Sequence, residues 1–183
     1  MRGTLLRLRE YVENSDPLVN VAGTTAILLA LNEPFYSIYL YVTVGVAAWP
    51  AWLALLPVPF YAAVPAVARR HSLAGRAMLP TVGVANVVLW LKLFGVACGV
   101  ELYLFACVLL GAILPRPGER LKMAAVLALP FIVYLGIGRN LEPVQVLSAD
   151  AYTVFAATNA LIVAILIAII GLLLSSILSE RQV

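Results

Sequence analysis

Six apolar runs, separated by short polar segments, constrain this 183-residue chain more than any other feature of its sequence. A helix needs about 20 largely apolar residues to cross a bilayer, and most of the runs are close to that length. The chain is 63% hydrophobic and only 11% charged, which is too apolar for a soluble domain of this size. We therefore predict an all-α, polytopic membrane protein, a six-transmembrane-helix bundle with an N-terminal amphipathic helix. The predicted spans are residues 17–32, 36–68, 77–95, 98–115, 121–138 and 152–178.

The second run is longer than one span requires and contains prolines at positions 50, 57, 59 and 65. Proline removes a backbone hydrogen bond and kinks or breaks a helix. The run is therefore either one kinked helix or two segments broken near residues 56–60. We favour a single distorted span with a short cytoplasmic extension, and a seven-span arrangement is the alternative.

The distribution of basic residues favours six spans with both chain ends in the cytoplasm. Six spans place four segments on the cytoplasmic side: residues 1–16, 69–76, 116–122 and 179–183. These segments hold ten of the twelve lysines and arginines, and only Lys92 and Arg139 fall on the other side. Short cytoplasmic loops are enriched in lysine and arginine, and a seventh span would scatter these charges over both faces. The single histidine, His71, is interpreted as part of one basic loop.

Three regions follow from this topology. Residues 1–16 mix leucines with arginines and glutamates, which is typical of an amphipathic helix at the membrane interface. Residues 17–178 form the membrane domain, which Asp16 and Pro17 are suited to cap and start. Residues 179–183 begin a polar, cytoplasmic C-terminal extension. The predicted loops between spans are residues 32–34, 69–76, 95–99, 115–120 and 139–151.

The sequence contains no motif of a known catalytic chemistry, and we do not expect an enzyme. GxSxG and HExxH motifs, a glycine-rich phosphate loop and paired acidic residues within a span are all missing from it. Cys98 and Cys107 are too far apart for a disulfide if they share one helix, and no cysteine–histidine pair suggests a metal. We expect no cofactor. A basic stripe interleaved with aromatic residues is also missing, so nucleic acid is not an expected partner.

Polar and aromatic residues on the predicted outer side define a candidate ligand site. Lys92 and Glu101 flank a turn that is able to bring them together as a polar lid, although a snorkelling lysine and a solvated glutamate are the alternative. The aromatic residues form either an interfacial belt or the mouth of a site for an apolar or amphiphilic ligand. Asn20, Asn86 and Asn159 lie within spans, either as interhelical hydrogen-bonding groups or as polar points in a pocket. The candidate ligand-binding residues are Glu33, Tyr36, Trp90, Lys92, Glu101 and Tyr103.

Several segments together resemble the six-span membrane input domains that precede bacterial adenylate cyclases, diguanylate cyclases and quorum-sensing histidine kinases. The segments that carry the resemblance are residues 11–14, 18–23, 74–76, 85–87, 95–105 and 159–178. The resemblance covers most of the chain and lies in architecture and composition. It implies a bacterial inner-membrane location and a homodimer with paired last spans. The chain is then either a fragment of a larger receptor, with a cytoplasmic output module downstream, or a stand-alone protein with the same fold. Small residues along the last span permit such close approach, or else serve packing within one bundle: Ala160, Ala164, Ala168 and Gly171.

These observations predict a sensory or regulatory input domain. A small apolar or amphiphilic ligand would bind among the outer aromatic residues and shift the population of two bundle packings. The last helix would relay the change to a cytoplasmic output module. The alternative is a small integral membrane carrier, and a third interpretation is a structural subunit of a larger membrane complex.

Overall fold

The computed structural model describes the backbone of residues 2–180 and the side chains of residues 6–177. The described part is about 88% helical and contains no strand, which confirms the all-α prediction. It holds seven α-helices: α1 (Arg2–Val12), α2 (Pro17–Val44), α3 (Val58–Arg70), α4 (Ser72–Phe94), α5 (Tyr103–Ile113), α6 (Arg120–Ile132) and α7 (Ala149–Glu180).

Five helical stretches of the described part are long and apolar enough to cross a membrane, which indicates a membrane protein. They are Pro17–Val44, Val46–Arg70, Ser72–Phe94, Pro117–Asn140 and Ala149–Ile177. A sixth apolar stretch, Val100–Ile113, is shorter than a span ordinarily requires. The described part therefore contains five long apolar helices and one short one, rather than the six long spans that we predicted.

The boundary between the first two predicted spans is wrong. We predicted a loop at residues 32–34, but α2 continues through Pro34 for 28 residues and ends at Gly45. Gly45 has φ 83°, a backbone conformation that favours glycine. Proline is tolerated within membrane helices because neighbouring groups satisfy the backbone that it exposes. Glu33 therefore lies inside a helix and not in an outer loop.

The single distorted span 36–68 that we favoured is not formed, because residues 36–44 belong to α2 and Gly45 separates them from the proline-rich stretch Val46–Arg70. A 3-10 helix, Val46–Leu55, contains Pro50, and α3 begins just after Pro57. Pro57 suits this place, because the first backbone N–H groups of a helix have no partner within it. The break falls within the predicted interval 56–60.

The predicted loop at residues 69–76 is wrong, because His71 alone separates α3 from α4. The two helices approach so closely here that a side chain on Gly75 would collide with the backbone of Ala68. Arg76, which we assigned to the loop, is helical and fully buried.

The turn between α4 and α5 lies where we predicted it. A 3-10 turn, Val96–Cys98, is flanked by Gly95 and Gly99, which have φ 78° and 72°. The connection between α5 and α6, residues 114–119, has the predicted length and begins one residue earlier than predicted. A 3-10 turn, Pro117–Glu119, precedes α6, which continues through a π-helical turn, Val133–Ile137, and a final 3-10 turn, Gly138–Asn140.

The connection from α6 to α7 is extended and lies against the end of α4. The backbone N–H groups of Val144 and Gln145 donate to the carbonyl oxygens of Lys92 and Leu93, both at 2.9 Å. The side chain of Leu147, which belongs to this connection, is buried. The predicted loop 139–151 is therefore reduced to residues 141–148.

The helices give the bundle two ends. One end, which we call the basic end, holds α1, His71, residues 114–119 and the C-terminal part of α7. The opposite end holds Gly45, the Gly95–Gly99 turn and residues 141–148. Helix α1 is attached to the basic end through α3: the Tyr11 hydroxyl donates to the Ala62 carbonyl at 2.8 Å, and Arg69 donates to two carbonyls of α1.

Candidate functional site

An internal cavity of about 40 Å³ lies between two buried apolar clusters, one toward each end of the bundle. Helices α2, α3, α4, α5 and α7 all contribute to its wall. Its volume admits a group of a few heavy atoms, since a single water needs about 10–15 Å³ of such space. The polar and aromatic lining residues are Asn32, Glu33, Tyr36, Tyr61, Asn86, Trp90, Tyr103 and Asn159.

Glu33 is the charged residue of this cavity. It lies in the middle of α2 with 5% of its surface exposed. The Asn86 side-chain amide donates to its carboxylate at 2.6 Å, across from α4. The ion pairs seen among the described residues join Arg76 to Glu119 and Arg116 to Asp16, so no basic side chain neutralises Glu33. A carboxyl group at this depth is costly and marks a functional site by default.

A second polar chain connects the cavity to α7. The Tyr36 hydroxyl donates to the Asn159 side-chain carbonyl, and the Asn159 amide donates to the Cys98 backbone carbonyl at 2.8 Å. Asn159 is fully buried and Tyr36 is 6% exposed. These bonds join α2 and α7 to the turn at the opposite end.

Four aromatic rings pack around this polar chain. Tyr36, Trp90, Phe94 and Phe155 contact one another with ring centroids 5.2–6.1 Å apart. Phe35, Trp49 and Trp52 of the same half are exposed on the outside of the bundle, whereas Tyr103 and Tyr152 are partly buried. The aromatic residues of this half therefore include a buried cluster and a set exposed on the outside of the bundle, and our two interpretations of them stay predictions.

The structure brings together four of the six candidate ligand-binding residues. Glu33, Tyr36, Trp90 and Tyr103 line the cavity. Lys92 does not, because its exposed ammonium group donates to the Glu142 backbone carbonyl at 2.8 Å. Glu101 is partly exposed, makes no ion pair with Lys92, and is not part of the cavity wall. The predicted polar lid is therefore not formed.

Two of the three membrane asparagines belong to the site. Asn86 and Asn159 both bond across helices and also line the cavity, so both predicted roles hold for them. Asn20 bonds instead to the backbone of Asn14 at the start of α2. Sequence reasoning missed Tyr61, which is buried in the cavity wall. The irregular, proline-rich run around it does not indicate which side chains face the interior.

A second polar cluster, the basic-end network, connects the starts of α2 and α4 to the turn before α6. The Arg76 guanidinium donates to both carboxylate oxygens of Glu119 at 2.8 and 3.0 Å, and also to the Leu114 carbonyl and the Ser72 hydroxyl. Ser72 and Arg116 in turn donate to Asp16 at 2.9 and 2.7 Å.

Asp16 is the N-cap of α2 and accepts a hydrogen bond from the Leu18 backbone N–H at 3.1 Å. Partial burial of its carboxyl opposes ionisation, but the hydrogen bonds from Ser72 and Leu18 and the Arg116 charge outweigh it. The pKa of Asp16 is consequently held below its ordinary value. The network therefore keeps a carboxylate charge at the start of α2, where the helix dipole favours it.

We predict that Tyr36→Phe destabilises the protein by about 1 kcal/mol, because it leaves the buried Asn159 carbonyl without its donor. Tyr39→Phe is the matched control. This variant also removes a phenolic hydroxyl of α2 that bonds to α7, in this case to the Thr158 hydroxyl. Unlike Tyr36, Tyr39 is 40% exposed. We expect the control to change stability by less than about 0.5 kcal/mol. Unfolding of both variants in detergent measures the difference, and equal losses would contradict the assigned bond.

Comparisons of this chain with protein-family models, with curated proteins and with solved structures found no match. The described residues contain no group of three or more histidine, cysteine, aspartate or glutamate side chains that could hold a metal ion. Cys98 and Cys107 are both buried free thiols.

Proposed function

We propose that this chain is a membrane-embedded sensory or regulatory input domain. Its internal cavity binds a small apolar or amphiphilic ligand, and α7 relays the resulting change toward a cytoplasmic output module. The observation that carries the proposal is the hydrogen bond from Tyr36, in the cavity wall, to Asn159 of α7. This bond makes the position of α7 dependent on what the cavity contains.

The proposed topology has six spans with both chain ends in the cytoplasm. The clustering of arginines at the basic end supports this orientation. The short stretch Val100–Ile113 is the fourth span in this topology. The Gly95–Gly99 turn and the extended connection 141–148 lie beyond its N-terminal end and cover that end of the bundle. A bacterial inner membrane follows from the resemblance to the input domains of cyclases and histidine kinases.

Helix α7 is suited to the relay because it spans the distance from cavity to basic end. Asn159 and Leu166 line the cavity, and the helix continues to Glu180. At about 1.5 Å per residue, the segment from Asn159 to Glu180 is roughly 30 Å long. A ligand with different affinity for two packings of α7 would shift their populations, and no other driving force is required.

The proposed homodimer uses the outer face of α7. Ala160, Ala164, Ala168 and Gly171 are all exposed, so these small residues are not occupied in packing within the bundle. Small residues four apart let two membrane helices approach closely. This exposure supports a pairing of the last spans, as in the domains that the chain resembles.

The proposal assigns no catalysis to these residues and leaves the reaction to the output module. A carrier is the alternative, since Pro34 follows Glu33 within α2 and a polar group beside a helix irregularity is typical of transporters. The two functions differ in whether the ligand crosses the membrane.

The test uses a Trp49→Phe, Trp52→Phe protein in proteoliposomes, in which Trp90 is the remaining tryptophan and reports on the cavity. Short-chain alcohols, carboxylic acids and amines are screened for a saturable change in its fluorescence. Nitroxides at Leu121→Cys and Leu172→Cys, both on exposed positions, report the distance between α6 and α7. Saturable binding with a changed distance and no flux supports the sensor. Flux of the bound compound supports the carrier, and no saturable change with any compound contradicts both.

A further inference from the structure

We propose that the ligand presents a compact monovalent cation with N–H donors, a primary ammonium group, to Glu33 and Asn86. This inference rests on the proposed function because it assigns the ligand to the same cavity. It adds the charge and the hydrogen-bonding character of the group that the ligand places there.

The first argument is charge. Glu33 is 95% buried in α2, and every side chain that lines the cavity beside it is neutral or apolar. The arginines that form ion pairs in the described part do so with Glu119 and Asp16, at the basic end. A carboxylate removed from water is strongly destabilised unless it takes up a proton or a positive group accompanies it, and a cationic ligand is therefore the partner that the ionised form favours. The cavity is therefore complementary to a cation.

The second argument is the number of unused acceptors. A carboxylate only accepts hydrogen bonds, so Asn86 turns its NH₂ group toward Glu33. The Asn86 carbonyl oxygen then accepts no hydrogen bond of ordinary geometry, although the Tyr61 hydroxyl lies beside the Asn86 side chain. Glu33 and Asn86 thus offer two neighbouring acceptors, and a group with several N–H donors is able to satisfy both. A primary ammonium group has three such donors, whereas a quaternary ammonium group has none.

The third argument is the shape and nature of the walls. Tyr36, Trp90 and Tyr103 surround the cavity, and aromatic faces attract cations. A volume of about 40 Å³ admits an ammonium group but not a whole amphiphile. Recognition within the cavity therefore concerns the headgroup.

The experiment compares three ligands that share one tail: n-hexylammonium, n-hexyltrimethylammonium and hexan-1-ol. The Trp49→Phe, Trp52→Phe protein is placed in phosphatidylcholine nanodiscs, and saturable changes of Trp90 fluorescence give each dissociation constant. We expect hexylammonium to bind at least about tenfold more tightly than either of the others, because it alone combines charge with N–H donors. This comparison requires no change at Glu33.

Variants then test whether Glu33 is the group that binds the ammonium ion. Glu33→Gln is expected to weaken hexylammonium binding about tenfold and to leave hexan-1-ol unchanged. Glu142→Gln and Asp150→Asn are the matched controls, because they remove exposed carboxylates near the opposite end, and neither should change the affinity.

Each of the other outcomes overturns one part of this inference. Equal binding of hexylammonium and hexan-1-ol, with no effect of Glu33→Gln, overturns the cation inference and leaves the ligand site standing. Equal binding of both cations overturns the role of the N–H donors. No saturable signal from any of the three overturns this inference, whereas the proposed function fails only if the wider panel of compounds is also silent.

Discussion

Replacing Arg76 by methionine is expected to destabilise the protein by about 2–4 kcal/mol, because it removes charge-assisted hydrogen bonds and leaves the buried Leu114 carbonyl unpaired. Arg76 is fully buried and donates to Glu119, Leu114 and Ser72. Methionine has a similar length, so the variant tests the loss of donors and charge rather than the creation of a large cavity. Its sulfur leaves the Leu114 carbonyl without its donor, and the Glu119 carboxylate keeps only the hydrogen bond from the Arg116 backbone N–H.

Arg116→Met is the control for this prediction. Arg116 also pairs with a carboxylate, Asp16, at 2.7 Å, but its side chain is 53% exposed. Exposed pairs contribute about 0–1 kcal/mol, so the control should be nearly neutral. Unfolding of both variants in the same detergent, followed by circular dichroism, measures the two losses. If Arg116→Met were as damaging as Arg76→Met, burial would not be what makes Arg76 important.

Replacing Gly75 by alanine is expected to cost about 3 kcal/mol or more, at the upper end of overpacking effects. A Cβ at this position would overlap with the backbone of Ala68, and backbone cannot rotate away as a flexible side chain does. Because His71 alone connects α3 to α4, the two helices have little freedom to separate here. The added methyl group must therefore displace one helix of the pair.

Gly136→Ala is the control for Gly75→Ala. A Cβ added at Gly136 meets nothing within 4 Å. Alanine is favoured over glycine in helices, so this variant should match the natural protein or exceed its stability by about 0.5–1 kcal/mol. Folding yield in detergent and the thermal unfolding midpoint distinguish the two. A Gly75→Ala protein as stable as the control would show that α3 and α4 are farther apart than described.

Features that depend on local chemistry were predicted correctly from the sequence. Asp16 and Pro17 start α2, and the Asp16 side chain accepts the Leu18 N–H, because capping involves only neighbouring residues. The Gly95–Gly99 turn is also local, since both glycines adopt positive φ.

Features that depend on distant partners were not predictable in this way. Glu33 beside Pro34 has the composition of a loop, but Asn86, 53 residues away, donates a hydrogen bond to its carboxylate within the bundle. Arg76 has the charge of a cytoplasmic loop residue, but Glu119, 43 residues away, pairs with it inside a helix contact. In both cases a polar group lies in the interior because of a contact that one-dimensional patterning does not contain.

The candidate site was partly predictable for the same reason. Tyr36, Trp90 and Tyr103 were selected as outer aromatic residues. They are less exposed than Phe35 and Trp52 because their helix faces are turned toward neighbouring helices, which the sequence alone does not reveal. Lys92 and Glu101 were selected for their charge. Their separation results from the connection 141–148, which offers Lys92 the Glu142 carbonyl.

Helix α2 continues past Glu33 and ends at Gly45, and the proposed topology places Glu33 in the membrane interior. The most direct measurement is the labelling of single cysteines by a membrane-impermeant maleimide, in a Cys98→Ala, Cys107→Ala protein in sealed vesicles. Phe35→Cys and Val46→Cys are compared, since both positions are about equally exposed on the bundle, at 71% and 73%. Residue 35 lies about 14 Å before the end of α2 along the helix axis.

We expect Val46→Cys to be labelled from the outer side and Phe35→Cys to remain unlabelled until the membrane is dissolved. Water reaches the first position, whereas lipid surrounds the second. Labelling of Phe35→Cys as rapid as that of Val46→Cys would place the turn at residues 32–34, return Glu33 to an outer loop, and contradict the internal site.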